Sequence, residues 1–172
     1  MFLSGGERFQ YKKEENVNKF RFSLVIGVAL SLMGCVEDIN YDILSNNDAG
    51  VEKLVAQGAD VNKPGLGVPP LYFAVVKKNM KIVRLLLDHG AMVNTETRNG
   101  GTPLIAATGS DQIDMVRILL EHGADPDQRG VYISGSLFHL KKEPGTAREI
   151  AQKHGYSDIL SLLKSYQKKN SN

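Results

Sequence analysis

The residues that could carry chemistry are few. Four histidines (His89, His122, His139 and His154) and a single cysteine, Cys35, are spread over 172 residues. A zinc or other transition-metal site needs nitrogen and sulfur ligands at short, fixed spacings. No HxxxH, HExxH or cysteine pair is present. His89 and His122 each stand directly before a glycine at the end of a helical stretch, where a cation is favoured by the helix dipole. Asp60, Asp88, Glu121 and Asp125 recur at matching places along the chain, which marks them as structural or solvated rather than as a general acid and base. Ser134-Gly135-Ser136 lacks the flanking glycines of a nucleophile elbow. Gly65-Leu66-Gly67 lacks the third glycine of a dinucleotide loop and runs into Pro69-Pro70, so it reads as a turn. The expectation is a protein without catalytic residues, cofactor or metal.

What positions these residues is a repeat. Arg84–Ala91 reads RLLLDHGA, and 33 positions later Arg117–Ala124 reads RILLEHGA. Lys53–Ala59 (KLVAQGA) is a weaker copy, and Pro70-Leu71 returns at the same offset as Pro103-Leu104. A fixed period of this size is the signature of a stacked array. Within each copy a Pro-Leu opens a short apolar stretch, with the proline suited to a first helical turn. A polar break follows. Then come Ile82, Val83, Leu86 and Leu87, or Met115, Val116, Leu119 and Leu120, whose spacing puts them on one face of a helix. Gly90 and Gly123 stop that helix cheaply in the left-handed conformation. Asn99-Gly100 stands where a tight hairpin is expected.

Helix, turn, helix and extended finger, with Thr102-Pro103-Leu104, Leu119-Leu120 and Gly123-Ala124-Asp125, resemble the ankyrin repeat. Other units depart from that pattern. Pro69 replaces the opening threonine of the second unit. Lys78 and Asp111 stand where the family has glycine between the helices. The first unit, about Ile39–Asn62, keeps Gly58-Ala59-Asp60-Val61-Asn62 but has no Thr-Pro-Leu, as suits a terminal unit on which nothing stacks. A displaced fourth unit begins at Thr146, 44 positions after Thr102, and includes Gly155 and Ile159–Leu163. The resemblance covers Glu37–Tyr166. It implies an all-α ankyrin-repeat solenoid of about four helix-turn-helix units with short β-hairpin fingers, preceded by a signal segment.

That segment is apolar. Lys19 and Arg21 flank Phe20, and Phe22–Leu32 (FSLVIGVALSL) is uncharged. A basic start, an apolar stretch of this length and small residues at its end describe a secretion signal. The run is shorter than the roughly 20 residues a membrane-spanning helix needs; the alternative is a buried core helix. Leu32-Met33-Gly34-Cys35 resembles the lipobox of bacterial lipoproteins, in which the cysteine is alkylated with a diacylglycerol and the chain is cut just before it. The resemblance makes Cys35 a lipidation site and the means of membrane attachment. The alternative is an unmodified cysteine after an apolar helix; a lone cysteine forms no intramolecular disulfide. Val17–Arg21 would be a normal beginning for such a signal, so translation is expected to start at Val17, with Met33 a second internal start giving a cytosolic form. Val36 after the cysteine resembles the class held at the outer membrane, facing the periplasm. The expected domains are 1–34 (extension and signal peptide), 35–166 (ankyrin repeats) and 167–172 (polar tail), the polarity beginning at Lys164.

The formal charge of +2 argues against a nucleic-acid partner. From Cys35 onward the chain has 16 basic and 16 acidic residues, so long-range steering is weak. What remains is surface. In ankyrin arrays the finger tips and the exposed side of each first helix contact a protein partner. Aligning the units places Leu66, Val68, Val76 and Lys77 there, and Arg98, Asn99 and Thr108 in the next unit; for the apolar Leu66, Val68 and Val76 the alternative to partner contact is packing under the neighbouring loop. The insertion Val131–Pro144 breaks the period and alternates apolar and polar residues around Ser134-Gly135-Ser136, a turn signal. Its Tyr132, Leu137, Phe138 and Leu140 are candidates for partner contact or for packing on the array. Resemblance to small ankyrin-repeat lipoproteins implies an immunity protein, monomeric before complex formation, that neutralises a toxic effector of the phospholipase class. The alternative is a scaffold or adaptor for a periplasmic enzyme or an envelope-stress response.

Overall fold

The computed structural model describes residues 38–136 and 139–170. The lipobox, Cys35 and the apolar run before it lie outside the described residues. Among the described residues, eight helices form four pairs: α1 (Ile39–Ser45) with α2 (Asp48–Ala56), α3 (Pro70–Val76) with α4 (Met80–Asp88), α5 (Pro103–Gly109) with α6 (Ile113–Glu121), and α7 (Ala147–His154) with α8 (Ser157–Asn170). The first helices stack in order, α1 on α3, α3 on α5 and α5 on α7. Of the second helices, α2 packs on α4 and α6 on α8. Helices of seven to nine residues are marginal alone, so stability comes from the stack. One hydrophobic core runs unbroken from Ile39 to Leu163, through Leu86 and Leu119, both fully buried. Among the described residues, no helix is long and apolar enough to cross a membrane.

Local signals set the helix ends. The Thr102 hydroxyl accepts from the Ile105 amide (3.2 Å) ahead of Pro103. Pro69 offers no such cap to α3. Thr146 and Glu149 form a reciprocal capping box on α7. The residue that turns the chain between the two helices of each unit is left-handed in all four: Asn46, Lys78, Asp111 and Gly155, with φ of 58°, 58°, 53° and 75°. Lys78 and Asp111 hold this conformation at a steric cost that glycine avoids. α8 runs to Asn170, past the point where the sequence suggested a tail. Lys164–Asn170 contains neither glycine nor proline, and Lys and Gln are good helix formers.

The units are also stitched by side chains. Asn62 Oδ1 accepts from the Met92 amide (2.8 Å) while its Nδ2 donates to the Gly90 carbonyl (3.0 Å). Asn94 repeats the pair with the Asp125 amide (2.8 Å) and the Gly123 carbonyl (3.1 Å). His89 and His122 each place Nδ1 2.8 Å from a carbonyl four residues back, at Leu85 and Ile118. This bond explains the recurring histidines.

The fingers differ. In the first, Gly65 and Val68 exchange both backbone hydrogen bonds at 3.0 Å around Leu66-Gly67. In the second, the Gly100 amide donates to the Thr97 carbonyl (2.8 Å) and only Gly100 is left-handed, so Asn99-Gly100 closes a wider turn than the expected two-residue hairpin. The third is the insertion: β1 (Gly130–Ser136) and β2 (His139–Gly145) pair antiparallel from Gly130–Gly145 to Ser136–His139. Ser134-Gly135-Ser136 therefore lies within β1 and is not the turn; the chain reverses between Ser136 and His139. The register is set at the base, where the Val131 amide donates to the Gly100 carbonyl (2.8 Å) and Gly130 passes so close that a Cβ would sit 2.6 Å from that oxygen.

Candidate functional site: the inner surface of the array

Three register-equivalent positions on the first helices show how this surface is built: Leu44 on α1, Val76 on α3 and Gly109 on α5. Leu44 and Val76 are exposed, Val76 to 51%. Tyr41, one turn before Leu44, is exposed as well. Gly109 is buried because Tyr132 of β1 lies on it; a Cβ there would come within 2.4–2.5 Å of the ring. The insertion thus covers the third unit's share of the surface and leaves the first two open.

Tyr132 is consequently half-buried and packs against the core. Across the hairpin its partner is Glu143, a carboxylate only 3% exposed. Glu143 accepts from Lys153 Nζ at 2.8 Å and from His154 Nε2 at 3.0 Å, with Lys141 Nζ at 3.1 Å. The Lys153, Lys141 and His154 contacts, in that order, outweigh burial and hold its carboxyl down at about 2. The His154 ring stacks on Tyr156 (5.5 Å between centroids, 14°) and meets the edge of Tyr132 (6.1 Å, 90°). Burial pushes the Tyr156 phenol up, with Asp111 and Tyr132 adding to it. This clasp of β2 to α7 was not legible in advance. Its one sequence signal is a glutamate among apolar and basic residues, ten positions before a Lys-His pair.

The open part centres on the first finger. Leu66 is 89% exposed, the most exposed large apolar side chain among the described residues. Its φ is +55° and that of Gly67 is +76°, so both central residues of the turn are left-handed. That is the type I′ arrangement, whose first central place normally holds Asn, Asp or Gly. A leucine there costs about 1–2 kcal/mol. Arg98 leans over this turn: its amide donates to the Gly67 carbonyl (3.2 Å), and its guanidinium lies where a Gly67 Cβ would come within 3.1–3.3 Å.

Of the other residues singled out by sequence, Lys77 and Asn99 are exposed and Val68 is partly buried beside the turn. Thr108 is not on the surface. It is fully buried, in register with buried Val75 rather than with exposed Val76, so it touches no partner. Leu137 and Phe138 lie outside the described residues, as does Cys35. Leu140 pairs with Gly135 through the backbone, and its side chain is not among those described. Among the described residues no three of His, Cys, Asp and Glu converge on one point.

A family model of ankyrin repeats in three copies matches residues 39–130. The chain belongs to the ankyrin-repeat family. The fourth pair, α7 and α8, lies beyond the matched span and is added by the structure. The chain is 36% identical over 94 residues to alpha-latroinsectotoxin-Lt1a and 37% over 89 residues to alpha-latrocrustotoxin-Lt1a, both of Latrodectus tredecimguttatus. These alignments cover 54% and 51% of this chain but 7% and 6% of those proteins. The chain spans less than a tenth of the length of either. Ankyrin repeats are protein–protein interaction modules.

Proposed function

We propose that this protein is a lipid-anchored ankyrin-repeat binder, exported to the periplasmic side of the outer membrane through Cys35, that neutralises a toxic effector such as a phospholipase by occluding it. The observation that carries the binding half is the open inner surface of the first two units, where Leu66 and Val76 face solvent on a rigid stack. An apolar side chain held out at a strained turn gains nothing from the fold and gains from a partner. Leu32-Met33-Gly34-Cys35 supports the anchor, and two acyl chains on one cysteine suffice for stable attachment. Tethering places a blocker where a lipid-attacking enzyme would work. The protein acts by holding its partner, with no reaction of its own.

Two measurements test this. Metabolic labelling with palmitate should mark the wild-type protein and not Cys35→Ser; equal labelling, or none in either, removes the anchor. A partner captured on the full chain should lose its enzymatic activity in stoichiometric complex. A partner that stays fully active when bound replaces neutralisation by the adaptor reading.

A further inference from the structure

We propose that the open inner surface of units one and two takes an acidic protein segment carrying a large apolar side chain, gripped by Leu66 and Val76 and paired with Lys63, Lys77 and Arg98. This deepens the protein-binding reading and rests on it. Three independent features of the molecule point to that occupant.

The first is charge. Residues 63–78 contain three lysines (Lys63, Lys77 and Lys78) and no acid, in a chain whose overall charge is nearly balanced. Of the acids flanking it, Asp60 accepts from the Asn62 amide and Asp48 from Asn79. Asp38 caps α1, Asp42 accepts from Asn47, and Glu96 accepts from Gln128. Arg98 adds a guanidinium directly above the first finger. A local excess of cations favours carboxylates from outside.

The second is strain. Leucine in the left-handed first place of a type I′ turn, almost wholly exposed, is a local choice that opposes stability. An outlier of this kind points to a use for the side chain. One leucine is too little apolar area for firm membrane attachment, whereas in a protein contact it serves as a central anchor.

The third is an example within the molecule. On the third unit the same surface is covered by a peptide segment of the chain itself: β1 lies along α5 with Tyr132 on Gly109, and Glu143 beside it is held by lysines. The covering segment thus offers a large ring and a carboxylate together. Units one and two have the equivalent positions, Leu44 and Val76, uncovered.

The test uses the full chain as bait for a random peptide-display library, with vesicles of phosphatidylglycerol as a parallel probe. Enriched peptides should combine Asp or Glu with an aromatic residue or leucine, and should bind more weakly in high salt. Leu66→Asn keeps the left-handed turn and removes the anchor, so it should keep or raise the melting temperature yet weaken those peptides about tenfold or more. Arg98→Glu should weaken them as well and select less acidic sequences. Peptides that are neutral or basic, or that bind Leu66→Asn as well as wild type, overturn this site while leaving protein binding intact. Retention on vesicles that depends on Leu66, with no peptide retained, overturns it in favour of a lipid surface. A wild-type chain that retains neither peptide nor vesicle overturns it outright. The neutralisation and anchoring readings are scored separately, by partner activity and palmitate labelling.

Discussion

Replacing Gly109 by alanine adds one methyl group to the last residue of α5, and the structure fixes where it goes. The new Cβ would lie 2.4–2.5 Å from three carbons of the Tyr132 ring. Carbon atoms in contact prefer roughly 3.5–4.0 Å, so the ring must retreat by about 1 Å or more. It is not free to do so. Its cross-strand partner Glu143 is fastened to Lys153 and His154 on α7, and its edge meets the His154 ring. Overpacking of this kind costs about 1–3 kcal/mol. Glycine's own handicap inside a helix is about 1 kcal/mol and is smaller at a terminal position. The clash therefore wins by about 1 kcal/mol, and the melting temperature should fall by roughly 2–8 °C. Far-UV circular dichroism during thermal and urea unfolding of the full chain reads this directly. The decisive control is the same change in a Tyr132→Ala background. There the obstacle is gone, and alanine should be neutral or stabilising. A Gly109→Ala protein as stable as wild type, with no dependence on Tyr132, would refute the docking of the hairpin on the third unit.

Two further outcomes follow from the stitching of the units. Asn94→Ala removes hydrogen bonds to the Asp125 amide and the Gly123 carbonyl, so stability in urea should drop by about 1–2 kcal/mol. Hydrogen exchange at the Asp125 amide should accelerate first, and unchanged exchange there would contradict the bond. Glu143 has a carboxyl held at about 2 in the fold, against an ordinary value of 4.5. A depressed carboxylate stabilises above its ordinary value, and that stabilisation is lost as the pH falls through the window down to about 2. Amide protection in Gly130–Ser136 and His139–Gly145 should therefore decline across that window in wild type. In Glu143→Gln it should be weaker at neutral pH and flat with acid; parallel curves for the two proteins would count against the clasp.

The 33-residue period made the stack readable in advance because each device it relies on is local. Glycine after each second helix, paired leucines at helical spacing and Thr-Pro-Leu act within one turn of chain. Gly58, Gly90 and Gly123 all have φ above 80° with open space where a Cβ would go, so conformation alone requires them. Lys78 and Asp111 could be read as departures from glycine, and they keep the left-handed turn all the same. What stayed hidden is set by distant contacts. Ser134-Gly135-Ser136 has turn chemistry, but the pairing of Val131 with the second finger fixes the register and places those residues in a strand. Thr108 was placed one position out of step, which moves a side chain from the surface into the core. The Glu143 clasp joins residues ten and eleven apart that share no motif.

The insertion also alters what the surface can do. A regular fourth unit would leave three equivalent positions, Leu44, Val76 and residue 109, open in a row. Here the third carries glycine, and a ring from the inserted strand fills the space. Glycine in a helix is unfavourable unless something uses its missing side chain, so Gly109 and Tyr132 make sense only as a pair. Covering that position leaves only Leu44 and Val76 open of the three, with the hairpin and its lysines beside the third. On the proposed site, a partner would end its contact near Arg98 and Asn99, or press against the hairpin itself. On that proposal, selectivity would come from the length of the open row and from the cations beside it, with the stack behind it an ordinary scaffold.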